Sequence, residues 1–467
     1  MEAVTLSQPQ NAPNGSPGLE WINASGYCPV PPKWVILGIN NVCNLKCKMC
    51  DVGLGARDTV FWANLIGEHP QNMPMELLQE IVRQAGDFHP RPRFGLAFTE
   101  PLIHPRLLDF VRTIVTAGFY CTVTSNGTTL ARVAESLVEI GLDDLCISID
   151  GPEAVHNRIR GGRETFQKLY QGIEMLNAAK RRRNTLYPTL NLSFTITDEN
   201  YGHILEFLRQ VEPLRPDHIN ISQMNFITEA MAAAHNARYG GELAVVRSNL
   251  GAMEPADFDT AAIAAELARV RAYAAARGPD FPALSIVPDS ADPIRLETYY
   301  REPNVFVGGR QCTDPWKMLM VKTDGTVIPS HGRCYNVPVG NVRETPLVEL
   351  WNSPRFVAFR KTLQAAGGTL PACARCCGII GKKAPPPPAP PPQGEGSETS
   401  TFTLIPNPSP SKGEGSQTDT LAPLLPLPSE ERATGVARAV PNRFGIRRPL
   451  QWGRGVGQGI APCLTYC

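Results

Sequence analysis

The sequence predicts an α/β chain whose parallel sheet curls into an open, partial barrel. Two observations carry this. From Lys33 to about Phe226, apolar runs alternate with amphipathic helical stretches about six times over. Strand-then-helix order implies parallel strands joined by right-handed crossovers. The candidate strands also alternate in polarity. In "DLCISID", Leu145, Ile147 and Ile149 share one face, while Cys146, Ser148 and Asp150 share the other. A doubly wound sheet buries both faces and reads as continuous apolar runs. A closed eight-stranded barrel fills its interior with branched apolar residues. A repeatedly polar face beneath helical crossovers fits an open barrel whose polar side lines a ligand cavity.

The expected strands are Trp34–Asn40, Arg93–Phe98, Tyr120–Ser125, Asp144–Asp150, Asn191–Thr197 and His218–Met224. In "NLSFTIT", Leu192, Phe194 and Ile196 oppose Asn191, Ser193, Thr195 and Thr197; in "HINISQM", Ile219 and Ile221 oppose His218, Asn220, Ser222 and Met224. Among the helices, "PMELLQEIVRQAGDF" gathers Leu77, Leu78, Ile81, Val82 and Ala85 on one face. Residues 1–32 read as a flexible lead-in, 33–228 as the barrel core and 229–310 as an Ala-rich helical connector. Residues 311–382 form a smaller unit, with a hairpin turning at Asp324-Gly325 and a helix through "PLVELWNSPRFVAFRKTLQ". Residues 383–467 are rich in Pro, Gly and Ser and are expected to be disordered.

Composition excludes several classes. The 467 residues carry a net charge of +1, so no global field draws nucleic acid or an anionic membrane. The basic run Lys180-Arg181-Arg182-Arg183 reads as a solvated helix end. No apolar run approaches the ~20 residues of a membrane span, and the first thirty residues lack the pattern of a signal peptide. A cytoplasmic chain without membrane or nucleic-acid partners is expected. In that reducing compartment the 13 cysteines suit metal binding better than disulfides.

Three cysteines follow the first strand: Cys43-x3-Cys47-x2-Cys50, within "NVCNLKCKMCDVG". Active sites of barrels sit at that strand end. A structural zinc site needs a fourth ligand, and the adjoining "DVGLGARD" offers only carboxylates. An iron–sulfur cube held by three thiolates leaves one iron open.

This motif resembles that of the radical S-adenosylmethionine superfamily, and the resemblance extends over roughly Lys33 to Gly378. It implies that the amino and carboxylate groups of S-adenosylmethionine chelate the open iron. Met49 fills the bulky position before the last cysteine. "FTEPLIHP" resembles the family's Gly-Gly-Glu-Pro motif, with Phe98 and Thr99 standing for the two glycines and Glu100 for the residue that accepts from the methionine amino group. "TSNGT" places Asn126 by the cavity, and "ISIDGPEAVHNRIRG" adds Ser148, Asp150 and Arg160, the last facing the methionine carboxylate. The implied fold is α/β: a partial (β/α)6 TIM-like barrel with a small C-terminal α+β auxiliary iron–sulfur domain and a disordered tail.

Cys312, Cys334, Cys373 and Cys376 resemble the ligands of the SPASM or twitch-type auxiliary domain found in part of the superfamily. Four thiolates imply one auxiliary 4Fe–4S cluster. Relatives often place a cysteine where Ser330 stands, so Cys334 is the expected ligand, with His331 or Cys377 as alternatives. A four-cysteine zinc site is the competing reading of this half. Cys28, Cys121 and Cys146 read as structural thiols.

The resemblance implies cleavage of S-adenosylmethionine to a 5′-deoxyadenosyl radical that takes hydrogen from substrate, with the auxiliary cluster accepting an electron. The expected outcome is two-electron oxidation of a small hydroxylated molecule, with Thr195, Asn220 and Ser222 facing its hydroxyls. Peptide maturation or epimerisation is the alternative within the superfamily, and a non-catalytic zinc or iron–sulfur protein the alternative outside it. The short lead-in leaves no room for a folded peptide-binding module, which favours the small molecule. An electron donor such as flavodoxin or ferredoxin is the expected partner.

Overall fold

The structure is a computed structural model and describes residues 22–379, apart from 67, 68, 70, 289–291 and 308. The expected disordered tail, with Cys463 and Cys467, lies outside the described residues.

Seven parallel strands build the barrel: β1 (Trp34–Leu37), β2 (Arg93–Leu96), β3 (Cys121–Ser125), β4 (Asp144–Ser148), β5 (Thr189–Thr195), β6 (His218–Ser222) and β7 (Ala283–Val287). A hairpin, β8 (Met318–Val321) and β9 (Thr326–Pro329), joins the same sheet because β8 pairs in parallel with β1. A short β10 (Gly340–Asn341) completes the order β10-β9-β8-β1-β2-β3-β4-β5-β6-β7. The sheet is open, with β10 and β7 at its edges.

The helices are α1 (Asp51–Leu54), α2 (Val60–Leu65), α3 (Met75–Ala85), α4 (Leu107–Thr116), α5 (Ala134–Ile140), α6 (Glu153–Arg160) and α7 (Thr165–Arg182). There follow α8 (Ile204–Val211), α9 (Glu229–Leu243), α10 (Thr260–Arg277), α11 (Pro293–Arg301), α12 (Leu347–Leu350) and α13 (Pro354–Ala365). The predicted face of α3 is buried at Leu77, Leu78, Ile81, Val82 and Ala85. It meets the outward residues of the strands, among them Leu145, Ile147, Leu192, Phe194, Ile219 and Ile221, in one continuous apolar layer. The basic end of α7 is an ion-paired surface, with Arg182 on Glu135 at 3.1 Å and Arg183 on Glu139 at 3.4 Å. No described helix is long and apolar enough to cross a membrane.

Three expectations change. The predicted connector 229–310 contains β7 as well as α9, α10 and α11, so the barrel has one more strand than the six expected. The smaller unit's hairpin extends the barrel sheet through β1–β8 pairing. The end of the predicted flexible lead-in is fastened: the Asn352 side chain accepts from Cys28 N and donates to Cys28 O, both at 2.9 Å, and Trp351 Nε1 donates to Val30 O at 2.8 Å.

The inward polar face is partly self-satisfied. Asp144 accepts from Thr122 Oγ1 at 2.8 Å, from Thr189 Oγ1 at 2.6 Å and from Asn191 Nδ2. Ser285 Oγ donates to Asn220 at 2.8 Å, and Ser222 Oγ donates to Phe194 O at 3.3 Å. Buried polar groups generally find partners; neighbouring strands supply these, while Asn220 Nδ2 and His218 Nδ1 are buried without one among the described residues. Of the three residues expected to face substrate hydroxyls, only Thr195 lines the cavity described next.

Candidate functional site

The cysteine loop leaves β1 and is hooked onto its surroundings by its backbone. Lys48 N donates to Ile159 O in α6 at 3.0 Å, and Cys50 N donates to Cys47 O at 3.2 Å. Gly53 lies so close that a Cβ there would stand 2.7 Å from Cys47 N. From the far side comes a strap, residues 244–254, where a Cβ on Gly251 would stand 2.6 Å from Lys48 O. Asp51 ties loop to strap: Oδ2 accepts from Ser248 Oγ at 2.5 Å and Oδ1 from Asn249 N at 2.7 Å. Its carboxylate is thereby engaged by the strap, and Asp51 does not line the thiol cavity. Asp58, the other nearby acid, is exposed.

Cys43, Cys47 and Cys50 line one cavity with Glu100, Asn126, Ser148 and Arg160, a space of about 770 Å³ that includes its open mouth. Seven of the predicted site residues thus share one space. Asp150 is fully buried behind it. Its Oδ2 accepts from Arg160 Nε at 2.5 Å and its Oδ1 from Thr195 N at 2.9 Å, while Arg160 Nη1 reaches 3.8 Å from Cys47 Sγ. Asp150 therefore aims the guanidinium at the cysteine loop.

Glu100 is held by three donors: Ser125 Oγ at 2.7 Å, Asn126 N at 2.7 Å and Leu102 N at 2.8 Å. Asn126 is pinned in turn, donating to Asn44 at 2.8 Å and accepting from Thr128 N at 3.0 Å. Phe98 keeps a left-handed backbone at φ 86°, the conformation a glycine adopts freely and a bulky residue resists. Its ring lies 6.3 Å from that of Phe61 and 6.0 Å from that of His331.

Burial pushes the Cys43 thiol up to about 12 and the Cys47 thiol to about 11, the latter against the pull of Arg160. Both are neutral until a cation supplies the charge that ionises them. Three soft ligands facing one roomy cavity, with the adjacent carboxylate tied elsewhere, fit a cluster with one open iron better than closed zinc.

Cys312, Cys334, Cys373 and Cys376 line a second chamber of about 550 Å³, walled also by Phe359, Leu363 and Ile379. Tyr335 Oη lies 3.5 Å from Cys373 Sγ. Cys377 is outside this lining and stands 3.7 Å from His331 Nε2, so the chamber gathers the four predicted thiols and leaves out the fifth. Ligand atoms of His331, Cys376 and Cys377 also fall within 4.8 Å of one another. Arg375 fastens the "CARCC" segment by donating to the carbonyls of Thr298 and Tyr299 in α11 and of Glu302 and Val305 just after it, at 2.7 to 3.0 Å.

Sequence reasoning did not anticipate Phe61, Asn225 and Arg333, which also line the first cavity. None belongs to a motif. Nor did it foresee the partners of Asp51, because they lie 197 and 198 residues away in the chain.

This geometry gathers cysteine thiols at two places. Residues 37–211 match the radical SAM superfamily and residues 312–377 the SPASM iron–sulfur cluster-binding domain. The chain is a radical S-adenosylmethionine enzyme with a C-terminal SPASM-type domain, and these domains imply a 4Fe–4S cluster, S-adenosylmethionine and auxiliary iron–sulfur clustering as its cofactors.

Its relatives include the tungsten-containing aldehyde ferredoxin oxidoreductase cofactor-modifying protein of Pyrococcus furiosus, 24% identical over 70% of this chain and 83% of that protein. They also include pre-heme d1 synthase of Dinoroseobacter shibae, 26% identical over 74% of this chain and 82% of that one. Among solved structures, SuiB of Streptococcus suis bound to S-adenosylmethionine aligns over 70% of this chain and 68% of that one, at 14% identity and a TM-score of 0.47.

Two outcomes follow from the site. Asp51→Ala leaves Ser248 Oγ and Asn249 N without their acceptor; denaturant unfolding should show a loss of about 1–3 kcal/mol, and reconstitution a lower iron content. Wild-type stability with wild-type iron would contradict the strap's role. Burial raises the Glu100 acid from 4.5 to about 7 against its three hydrogen bonds. Below about pH 4.5 folded and unfolded chains are both protonated there, so its contribution to stability is fully present. As pH rises the unfolded chain ionises first, and the contribution is lost through about pH 7. Thermal melts of metal-free protein should therefore fall less steeply across that window in Glu100→Gln than in wild type. Parallel curves would refute it.

Proposed function

We propose that the chain uses Cys43, Cys47 and Cys50 to hold the S-adenosylmethionine-binding cluster, and Cys312, Cys334, Cys373 and Cys376 to hold one auxiliary 4Fe–4S cluster. The observation that carries this is the sharing of one cavity by the three thiols with Glu100, Asn126, Ser148 and Arg160, while Asp51 is engaged by the strap. When bound, these groups supply an electron to S-adenosylmethionine, a 5′-deoxyadenosyl radical that removes hydrogen from substrate, and an auxiliary acceptor for a second electron.

The chain's own residues bind, orient and exclude water. Arg160, aimed by Asp150, meets the methionine carboxylate, and Glu100 takes the methionine ammonium. Asn126 and Ser148 border the same ligand. The apolar wall of Met49, Phe61 and Phe98 keeps the radical's surroundings dry. Cys377 stands beside the quartet without being one of its ligands.

The substrate is a small molecule of the cofactor or cofactor-precursor kind. The two relatives that match along most of their length support this, one by name modifying a cofactor and the other making a heme precursor. Thr195 alone keeps the hydroxyl-facing role read for three residues, so hydroxylation of the substrate is less supported than its size. Net two-electron oxidation is the proposed outcome, since four thiolates saturate the auxiliary cluster and leave it no iron for direct substrate binding. A one-electron donor of the flavodoxin or ferredoxin kind supplies the first electron.

Anaerobic reconstitution tests the proposal. Wild type should hold about eight irons per chain and form 5′-deoxyadenosine on reduction with S-adenosylmethionine present. Cys43→Ala should hold about four and form none above background. Stoichiometric zinc, or 5′-deoxyadenosine that persists in Cys43→Ala, would overturn it.

A further inference from the structure

Outside the thiol cavity, the cysteine loop borders a second space: an open groove of about 1280 Å³, its mouth included. The loop, α1 and α2 all contribute to its walls. Cys43 lines both the groove and the thiol cavity. A single residue of the cysteine motif therefore stands between the candidate site and the surface.

The groove is apolar at its floor and positive at its rim. Leu45, Val52, Trp62 and Ile66 line it, each only half-buried. Scattered exposed apolar side chains are ordinary, but four gathered in one concave patch mark an interaction site. Lys46 and Arg57, both exposed, supply the charge, and no carboxylate is among the described residues lining the groove. Neither is ion-paired among the described residues. The Arg57 guanidinium carbon lies 6.0 Å from the Trp62 ring centroid, which sets its charge over the apolar floor. The whole chain carries only +1, so this field is local to the groove.

We propose that the groove is the docking surface of the electron donor, and that this donor is a small acidic electron-carrier protein. This rests on the radical S-adenosylmethionine reading and deepens it by naming the face the electron enters. During turnover S-adenosylmethionine and substrate occupy the thiol cavity, so a carrier needs another approach to the cluster, and the groove leads to Cys43 from outside. Lys46 and Arg57 steer an acidic partner and set its orientation. The half-buried apolar floor suits the small interface of a transient redox encounter. From a flavodoxin hydroquinone, one electron passes to the oxidised cluster and the flavin is left as the semiquinone.

The test uses the full chain, reconstituted with iron, in anaerobic stopped-flow mixing with flavodoxin hydroquinone. Semiquinone formation and loss of cluster absorbance report the transfer. The wild-type rate should fall steeply between about 0.05 and 0.5 M salt. Arg57→Glu, which lies off the cysteine loop, should slow it by about threefold or more, and Lys46→Glu with Arg57→Glu by about tenfold or more, with a flatter salt dependence. Arg57→Lys should keep most of the rate. Iron per chain should not change, and reduction by dithionite should stay within about twofold of wild type, because a small reductant needs no docking face. Flavodoxin reduction of the double variant at the wild-type rate overturns the proposal. An equally large slowing with dithionite, or loss of iron in Arg57→Glu, assigns these residues to the loop's structure and overturns it too. Wild type that forms 5′-deoxyadenosine with dithionite, while its flavodoxin rate ignores salt and both substitutions, fails this inference alone; wild type that forms none with dithionite fails the parent reading.

Discussion

The site depends on where one carboxylate points. Asp51 follows the last cysteine of the loop directly and is the nearest oxygen ligand that could close a tetrahedral metal site. Ser248 and Asn249 take both of its oxygens. The three thiols therefore face their cavity without it, and in the proposed function the fourth coordination place goes to S-adenosylmethionine. The same contact draws the strap over the loop, where Gly251 packs on Lys48. One buried carboxylate thus both shapes the loop and keeps the site open.

The rest of the cavity is built in the same manner, by residues held in place through others. Asp150 fixes Arg160, and Ser125, Asn126 and Leu102 fix Glu100. Such second contacts set ligand orientation and charge. Phe98 departs most from the family pattern. It accepts a backbone conformation that costs a non-glycine residue about 1–3 kcal/mol, and its ring packs between Phe61 and His331. Through that ring the shelf beside Glu100 touches the segment bearing the auxiliary cysteines.

Much of this was legible in local patterns. Alternation in "DLCISID" and "NLSFTIT" separated the helix-covered face from the polar one, and cysteine spacing singled out both thiol groups. Strand ends were overrun by two or three residues in β1, β2, β4, β5 and β6, because alternation continues into the site-bearing loops after ladder pairing stops. β7 was hidden behind an Ala-rich helix, and its residues are only half-buried. Alternation also could not tell a cavity wall from a hydrogen-bonded interior: Thr195 lines the cavity, while Asn220 and Ser222 are paired with neighbouring strands. Asp51 acquires its role only through contacts with a distant part of the chain, which no local period records.

The central claim is that the place Asp51 leaves open is taken by S-adenosylmethionine. Electron–nuclear double resonance on the reduced, reconstituted protein with S-adenosylmethionine labelled with ¹⁵N at the amino group tests it most directly. The account predicts a strong nitrogen coupling to the cluster of Cys43, Cys47 and Cys50, lost in Cys43→Ala while the auxiliary cluster signal persists. A reduced cluster at that site showing no coupling to the label would contradict it.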